Sequence, residues 1–372
     1  MVAIKCGKMV DRDMRVIENA VVLVENGKIA AAGAGVEIPA GAEVVDASGL
    51  WVTPGLIEAH AHGASEMQDI NEMSNPITPD LRAFDAVYPF SEDIKAIREA
   101  GFTSMVLLPG SANLIGGSGV VLKNKPAKTV YEMAVYGREP LKMALGENPR
   151  RCYNGKFIST RMANAALVRR TFTRAQDYMR QKEAGKLEKT ELEMEALIPA
   201  LKGEKRVHMH SHKADDLVTA VRLLREFGLD FTLDHVTQGE LIADWLAENK
   251  ILCVVGPIRI QPLKREMEGV HPSLPGVLEK AGVEFALTSD DNYGIQFLPM
   301  TVGHCVAHGL SWEAGMRGIT LTAAKVLQIE DRVGSLEPGK DADIAFFSGD
   351  PLLNTTRCVG TMIDGGFCSR SF

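Results

Sequence analysis

Eight short apolar runs, each followed by a longer amphipathic or loop segment, constrain this 372-residue chain more than any other feature. They are Leu56 to His60, Ser104 to Leu108, Val120 to Lys123, Met143 to Glu147, Val207 to His210, Phe231 to His235, Leu252 to Gly256 and Glu284 to Asp290. Runs of this length between helical patterns read as the strands of successive βα units. Eight units over roughly 280 residues match a (β/α)8 TIM-like barrel; a doubly wound sheet uses fewer strands and a glycine-rich phosphate turn. No G-x-G-x-x-G or P-loop occurs. Gly116-Gly117-Ser118-Gly119, lacking a following lysine and helix, reads as a flexible loop.

The two ends of the chain have another texture. Val21 to Val24, Ile29 to Gly33 and Val44 to Asp46 are short β-type runs, and Asn26-Gly27 between the first two is a hairpin signal because both residues tolerate positive φ. Residues 335 to 372 again alternate strands and turns, with Ile344-Ala345-Phe346-Phe347 and Met362-Ile363-Asp364-Gly365-Gly366. Two incomplete β pieces flanking a long middle suggest one sheet or small β-sandwich domain built from both termini, residues 1–52 plus 335–372, around a barrel of residues 53–334.

Within the middle, Met162 to Lys182 and Glu191 to Leu201 carry helical periodicity, whereas Gly63 to Glu92 has three prolines and no sustained period. A long loop directly after a barrel strand is expected to cover an active site as a lid. The net charge of −7, without a Lys/Arg-rich block, argues against a nucleic-acid partner. The six cysteines form no C-x-x-C pair, so neither a thiolate zinc site nor a disulfide framework is signalled. No stretch reaches membrane-spanning length, and Met1 to Gly7 shows no charged region followed by an apolar run; the expected setting is cytoplasmic.

Chemistry concentrates at the strand ends. His60 and His62 are two apart, the strand period, so both imidazoles present on one face as a chelating pair. Glu147 ends the fourth run, His210 and His212 the fifth, His235 the sixth and Asp290-Asp291 the eighth. In a barrel these groups converge on one mouth. Imidazoles with carboxylates and no cysteine favour Zn²⁺, with Mn²⁺, Fe²⁺ or Co²⁺ also suited. Such an ion with an open position turns bound water into a hydroxide that attacks a carbonyl, and Asp290 is the candidate to shuttle the proton.

The chain resembles the amidohydrolase superfamily, in particular the imidazolonepropionase-like metal-dependent hydrolases, over nearly its full length. The likeness rests on Val52-Thr53-Pro54-Gly55-Leu56-Ile57-Glu58-Ala59-His60-Ala61-His62, on Glu25-Asn26-Gly27-Lys28-Ile29, on Thr288-Ser289-Asp290 and on Gly334 to Ile344. The resemblance implies His60 and His62 as the first-strand metal pair, His210 and His235 as the fifth- and sixth-strand ligands, and Asp290 as ligand and proton shuttle. For the fourth strand it implies either a carboxylated lysine or a glutamate; Glu147 is favoured over Lys123 and Lys142, and one or two ions stay open. Three histidines, His208, His210 and His212, share a face by alternation; His212 is expected to touch substrate or water, and His208 to be structural. Lys213 stands where deaminases of the superfamily place a glutamate, which counts against deamination. His271, His304 and His308 lie off the strand ends and read as surface or packed residues.

Arg161 and Asp291 are the leading candidates for substrate contact, with Arg82, Asp85, Arg150 and Arg151 behind them. The expected activity is hydrolysis of a cyclic or linear amide outside ordinary peptide bonds, on a small molecule, in a protein that can form homo-oligomers. A dipeptidase or carboxypeptidase-like activity and a metal-free, non-catalytic barrel scaffold are the alternatives.

Overall fold

The structure is a computed structural model that describes residues 1–66, 69–258 and 264–372. The chain opens with β1 (Val2–Val10), β2 (Val16–Glu25), β3 (Lys28–Gly33) and β4 (Glu43–Pro54). Nine short strands follow: β5 (Leu56–Ala61), β6 (Phe102–Leu107), β7 (Ile115–Ser118), β8 (Val120–Lys123), β9 (Leu141–Ala144), β10 (Val207–Ser211), β11 (Phe231–His235), β12 (Cys253–Val255) and β13 (Phe285–Leu287). It closes with β14 (Ile344–Phe347), β15 (Cys358–Ile363) and β16 (Gly366–Arg370).

Strands from the two ends share one seven-stranded sheet, in the order β16-β15-β14-β4-β1-β2-β3. Its core of Ile4, Met9, Val22, Val52, Ile344 and Phe346 draws on both ends, so neither end buries its apolar face without the other. Among the described residues these strands form a single ladder, where a sandwich would have two.

The middle strands form two further sheets, β5-β6-β8 and β13-β12-β11-β10-β9-β7. Both are mixed. From β9 to β13 all pairings are parallel, but β8 runs antiparallel to β6, and β7 antiparallel to β9. The third run is therefore not the parallel strand its sequence suggests. A parallel return usually runs through a helix; residues 108–119, between β6 and β8, carry strand β7 and no helix, and β8 comes back antiparallel. The glycine segment expected to be a flexible loop is buried strand β7. Gly117, at φ +107, needs to be glycine there, because a Cβ would meet the Leu81 carbonyl oxygen at 2.3 Å.

Gly55 is the hinge between sheet and barrel strands: its N–H donates to the Asp343 carbonyl, and a Cβ there would lie 2.2 Å from the Thr103 side chain. Beyond it, β5 alternates. Ile57 and Ala59 pack with Ala323 and Ala324, which leaves Glu58, His60 and His62 for the opposite face. Glu58 then ties β5 to the segment after β13, accepting bonds from the Thr288 hydroxyl (2.6 Å) and from the Ser289 N–H and hydroxyl (3.0 and 2.7 Å). Burial pushes its carboxyl up to about 7 in spite of these bonds. The Gly63 to Glu92 stretch, of which Met67 and Gln68 lie outside the described residues, is pinned to β7 by the bridges Ile77–Ile115 and Arg82–Ser118.

Candidate metal centre

Parallel pairing sets the inward face of the site level by level. Lys142 stands opposite His208, and His210 opposite Asp234. Strict alternation would turn His235 away from the face that Asp234 occupies; its left-handed backbone, φ +78, breaks the alternation. Asp290, two residues beyond the Thr288 clasp, is likewise left-handed at φ +49, and its N–H donates to the Thr288 hydroxyl oxygen at 3.1 Å.

These elements bring together His60, His62, His210, His212, His235 and Asp290. Donor atoms of His60, His62 and Asp290 lie within 4.8 Å of one another, as do those of His210, His212 and His235. Asp290 Oδ1 stands 3.6 Å from His60 Nε2 and 3.3 Å from His62 Nε2, and Oδ2 is 3.8 Å from His235 Nδ1. Burial pushes the Asp290 carboxyl up, but the imidazoles of His235, His62 and His60 outweigh it and hold the carboxyl well below its ordinary range.

The imidazoles are oriented from behind. His62 Nδ1 donates to the Leu108 carbonyl (3.1 Å), His235 Nδ1 to the Gly256 carbonyl (2.8 Å), and His60 Nδ1 to Asp234 Oδ2 (2.7 Å); His212 Nδ1 is 2.8 Å from the Thr237 hydroxyl. A ring that donates through Nδ1 carries its lone pair on Nε2. Burial is the leading cause that lowers the pKa of His60, His210, His212 and His235, which keeps them neutral. The Nε2 atoms of His208, His210, His212 and His235 are buried without a hydrogen-bond partner among the described residues. Lone pairs in that state, beside an ionised carboxylate, fit a divalent cation.

Glu147 sits apart from these sets. It starts the helix Glu147–Cys152, and its N–H donates to Glu266 Oε2 at 2.8 Å. At the fourth strand the side chain that reaches the centre is Lys142, whose Nζ donates to His60 Nε2 at 2.9 Å; burial lowers its ammonium to about 8. A lysine between Leu141 and Met143 in a fully buried strand was its sequence signal. Glu266, which had no such signal, is buried with Oε1 at 3.9 Å from His210 Nε2 and 3.8 Å from His212 Nε2, and pairs with Lys264 at 2.7 Å.

Arg161 Nε binds both oxygens of Asp216, at 2.9 and 3.0 Å. It also lines a cavity of about 380 Å³ with Glu147, Arg150, Lys213, Arg265 and Glu266. Asp291 accepts from the His62 N–H through its carbonyl and from the Asn292 N–H through its carboxylate. Arg82 and Asp85 pair with each other on the surface. His271 pairs with Glu240, and His304 and His308 meet edge to face, all outside the donor sets.

A model of the Amidohydrolase family matches residues 51–368. The chain belongs to the amidohydrolase family. That membership makes it a hydrolase of a family that typically binds divalent metal ions, with a TIM-barrel-like α/β fold. A solved amidohydrolase from Thermotoga maritima is 35% identical and superposes over all of both chains with a TM-score of 0.95. The amidohydrolase TasK of Hapsidospora irregularis is 28% identical over 88% of this chain, which spans only 37% of that relative's length. Imidazolonepropionase of Cupriavidus necator is 26% identical over 93% of this chain and 88% of its own length. Among the described residues no helix is long and apolar enough to cross a membrane.

Proposed function

We propose that this amidohydrolase cleaves a carbon–nitrogen bond of a cyclic or linear amide other than an ordinary peptide, with Asp290 moving the proton. The observation that carries the reading is the Asp290 carboxylate within 3.3–3.8 Å of three imidazoles, beside buried ring nitrogens with no hydrogen-bond partner among the described residues. His60, His62 and Asp290 would hold one cation, and His210 and His235 a second, zinc before manganese, iron or cobalt. A cation bound there supplies a Lewis acid for the carbonyl and makes water acidic enough to attack it.

The chain's own residues do the rest. Asp290 accepts the proton of the attacking water and delivers it to the leaving nitrogen, a role suited to a carboxylate kept ionised by its neighbours. His235, fixed by Gly256, keeps Asp290 aimed. His212, anchored on Thr237, faces the substrate with Asp291 and Arg161. The fourth-strand position falls to Lys142 rather than Glu147, because Lys142 alone of the two contacts a histidine of the cluster. A carboxylated lysine, as in many relatives, would supply the anion that an ammonium lacks.

The test is Asp290→Asn, assayed against lactams, imidazolones, N-acyl amino acids and dipeptides. Turnover is expected to fall by about 10²–10⁴-fold while bound metal is retained. Near-native rates in the variant remove Asp290 as the shuttle; cleavage of dipeptides alone selects the peptidase alternative. Reconstituted protein that takes up no transition metal favours the scaffold.

A further inference from the structure

A third donor set, His60, His208 and Asp234, is fully buried, like His210, His212 and His235 and unlike His62 and Asp290, and differs from both in its spacing. Asp234 Oδ2 lies 2.7 Å from His60 Nδ1 and 3.0 Å from His208 Nδ1. Ligand atoms bound to one ion at about 2.0–2.2 Å are held roughly 3 Å or more apart. At 2.7 Å the contact is a charge-assisted hydrogen bond with no room for an ion between. Both rings donate their Nδ1–H to the same oxygen, while Asp234 Oδ1 accepts from the Thr232 hydroxyl at 2.7 Å.

The carboxylate is thus held from three sides, by groups on three strands. His208 lies on β10, Thr232 and Asp234 on β11, and His60 on β5. With its Nδ1 proton committed to Asp234, His60 has one tautomer left, the lone pair on Nε2. That nitrogen faces Lys142 Nζ at 2.9 Å and Asp290 at 3.6 Å.

We propose that Asp234 is a positioning residue for the metal centre: it fixes the tautomer and tilt of His60, and His208 is its brace. The proposal rests on His60 being a cation ligand. It assigns His208 a purpose that its place deep in the strand leaves open, and it separates Asp234 from its sequence neighbour His235, which points at the ion itself.

Cobalt(II) loading of the full chain tests this without reference to activity. Asp234→Asn, which keeps shape but loses the charge, is expected to bind cobalt about 10–100-fold more weakly by chelator competition, with a shifted visible absorption band. His208→Gln leaves the His60–Asp234 bond in place and is expected to show a smaller loss of the same sign; it carries the test if Asp234→Asn does not fold. Wild-type affinity and spectrum in the folded variants overturn the proposal. Loss of a whole equivalent of cobalt at saturation also overturns it, by making Asp234 a ligand. A wild-type chain that takes up no cobalt sinks the metal reading, and this inference with it.

Discussion

Two buried polar clusters in this molecule look alike in composition and differ in how they are satisfied. Around Lys123, three carboxylates converge: Nζ lies 3.0 Å from Asp341, 2.8 Å from Asp343 and 3.1 Å from Asp364. Arg332 adds a second bond to Asp341 (2.7 Å), and Lys125 one to Asp364 (2.9 Å). Burial would lower the Lys123 ammonium, yet the three acids outweigh it and raise its pKa. Charge meets charge there, and the cluster clamps β8 to the ends of β14 and β15. At the ends of β5, β10 and β11 the same burial holds neutral imidazoles, and the Nε2 atoms of His210, His212 and His235 have no hydrogen-bond partner among the described residues. Buried charge that is paired reads as architecture, whereas buried lone pairs without partners read as a site waiting for a ligand.

The strongest way to break that contrast is Lys123→Met. Removing the shared cation leaves the buried Asp343 without its cation and weakens the hold on Asp341 and Asp364, so about 3 kcal/mol of stability should go, read as a lower urea midpoint at unchanged slope. Cation uptake should stay at the wild-type level. A loss under about 1 kcal/mol would place the cluster with ordinary surface pairs. Metal removal probes the other cluster. Protein held at 100 to 1,000 times the dissociation constant gains about 2.7–4.1 kcal/mol from the ion, and a chelator should remove that gain in wild type and in Lys123→Met alike. Unequal losses would show that the clusters are coupled.

Acid should separate the two next. Burial pushes the Asp341 carboxyl up, but Lys123, Lys28 and Arg332 prevail and hold it down at about 2. A carboxyl that titrates lower when folded contributes fully above its unfolded value of about 3.9, and that contribution is lost as pH falls toward 2. Asp343 is shifted upward by burial and opposes the trend, so the window is read as the difference between wild type and Lys123→Met. Metal-free wild type should lose melting temperature more steeply than Lys123→Met between pH 4 and pH 2; parallel curves would remove the ion network as the cause.

How far the site could be read beforehand follows from the range of each signal. His60 with His62, and His208 with His210 and His212, are local period-two patterns, and a strand is all they need to share a face. Lys142 and Asp234 take their roles from neighbours on other strands, 82 residues away for His60–Lys142 and 174 for His60–Asp234. Spacing cannot supply that register. Glu147 drew attention because it ends an apolar run, but β9 stops at Ala144, and the left-handed Gly146 starts a helix that carries the side chain away. For the third strand, counting apolar runs finds segments and says nothing of direction; the lack of a helix in residues 108–119, between β6 and β8, held that information. Pooling of the two ends into one sheet was legible because each end lacked enough apolar surface to fold by itself.

Arg161 is the finest test, because it belongs to neither class. Its side chain is 34% exposed, its partner Asp216 only 5%, and Arg161 lines the cavity beside the centre. Burial leads the forces on Asp216 and raises its carboxyl, so it can take up a proton once the guanidinium is gone instead of staying buried as a bare charge. Arg161→Ala should therefore cost only about 1 kcal/mol, well short of the Lys123 effect. If the guanidinium also meets substrate, KM should rise with kcat nearly unchanged, the mark of an interaction made equally in ground and transition states. A midpoint shift as large as that of Lys123→Met would move Arg161 to the architectural class. An unchanged KM on a substrate the wild type turns over would take it off the substrate side and leave Asp216 as its whole reason for being there.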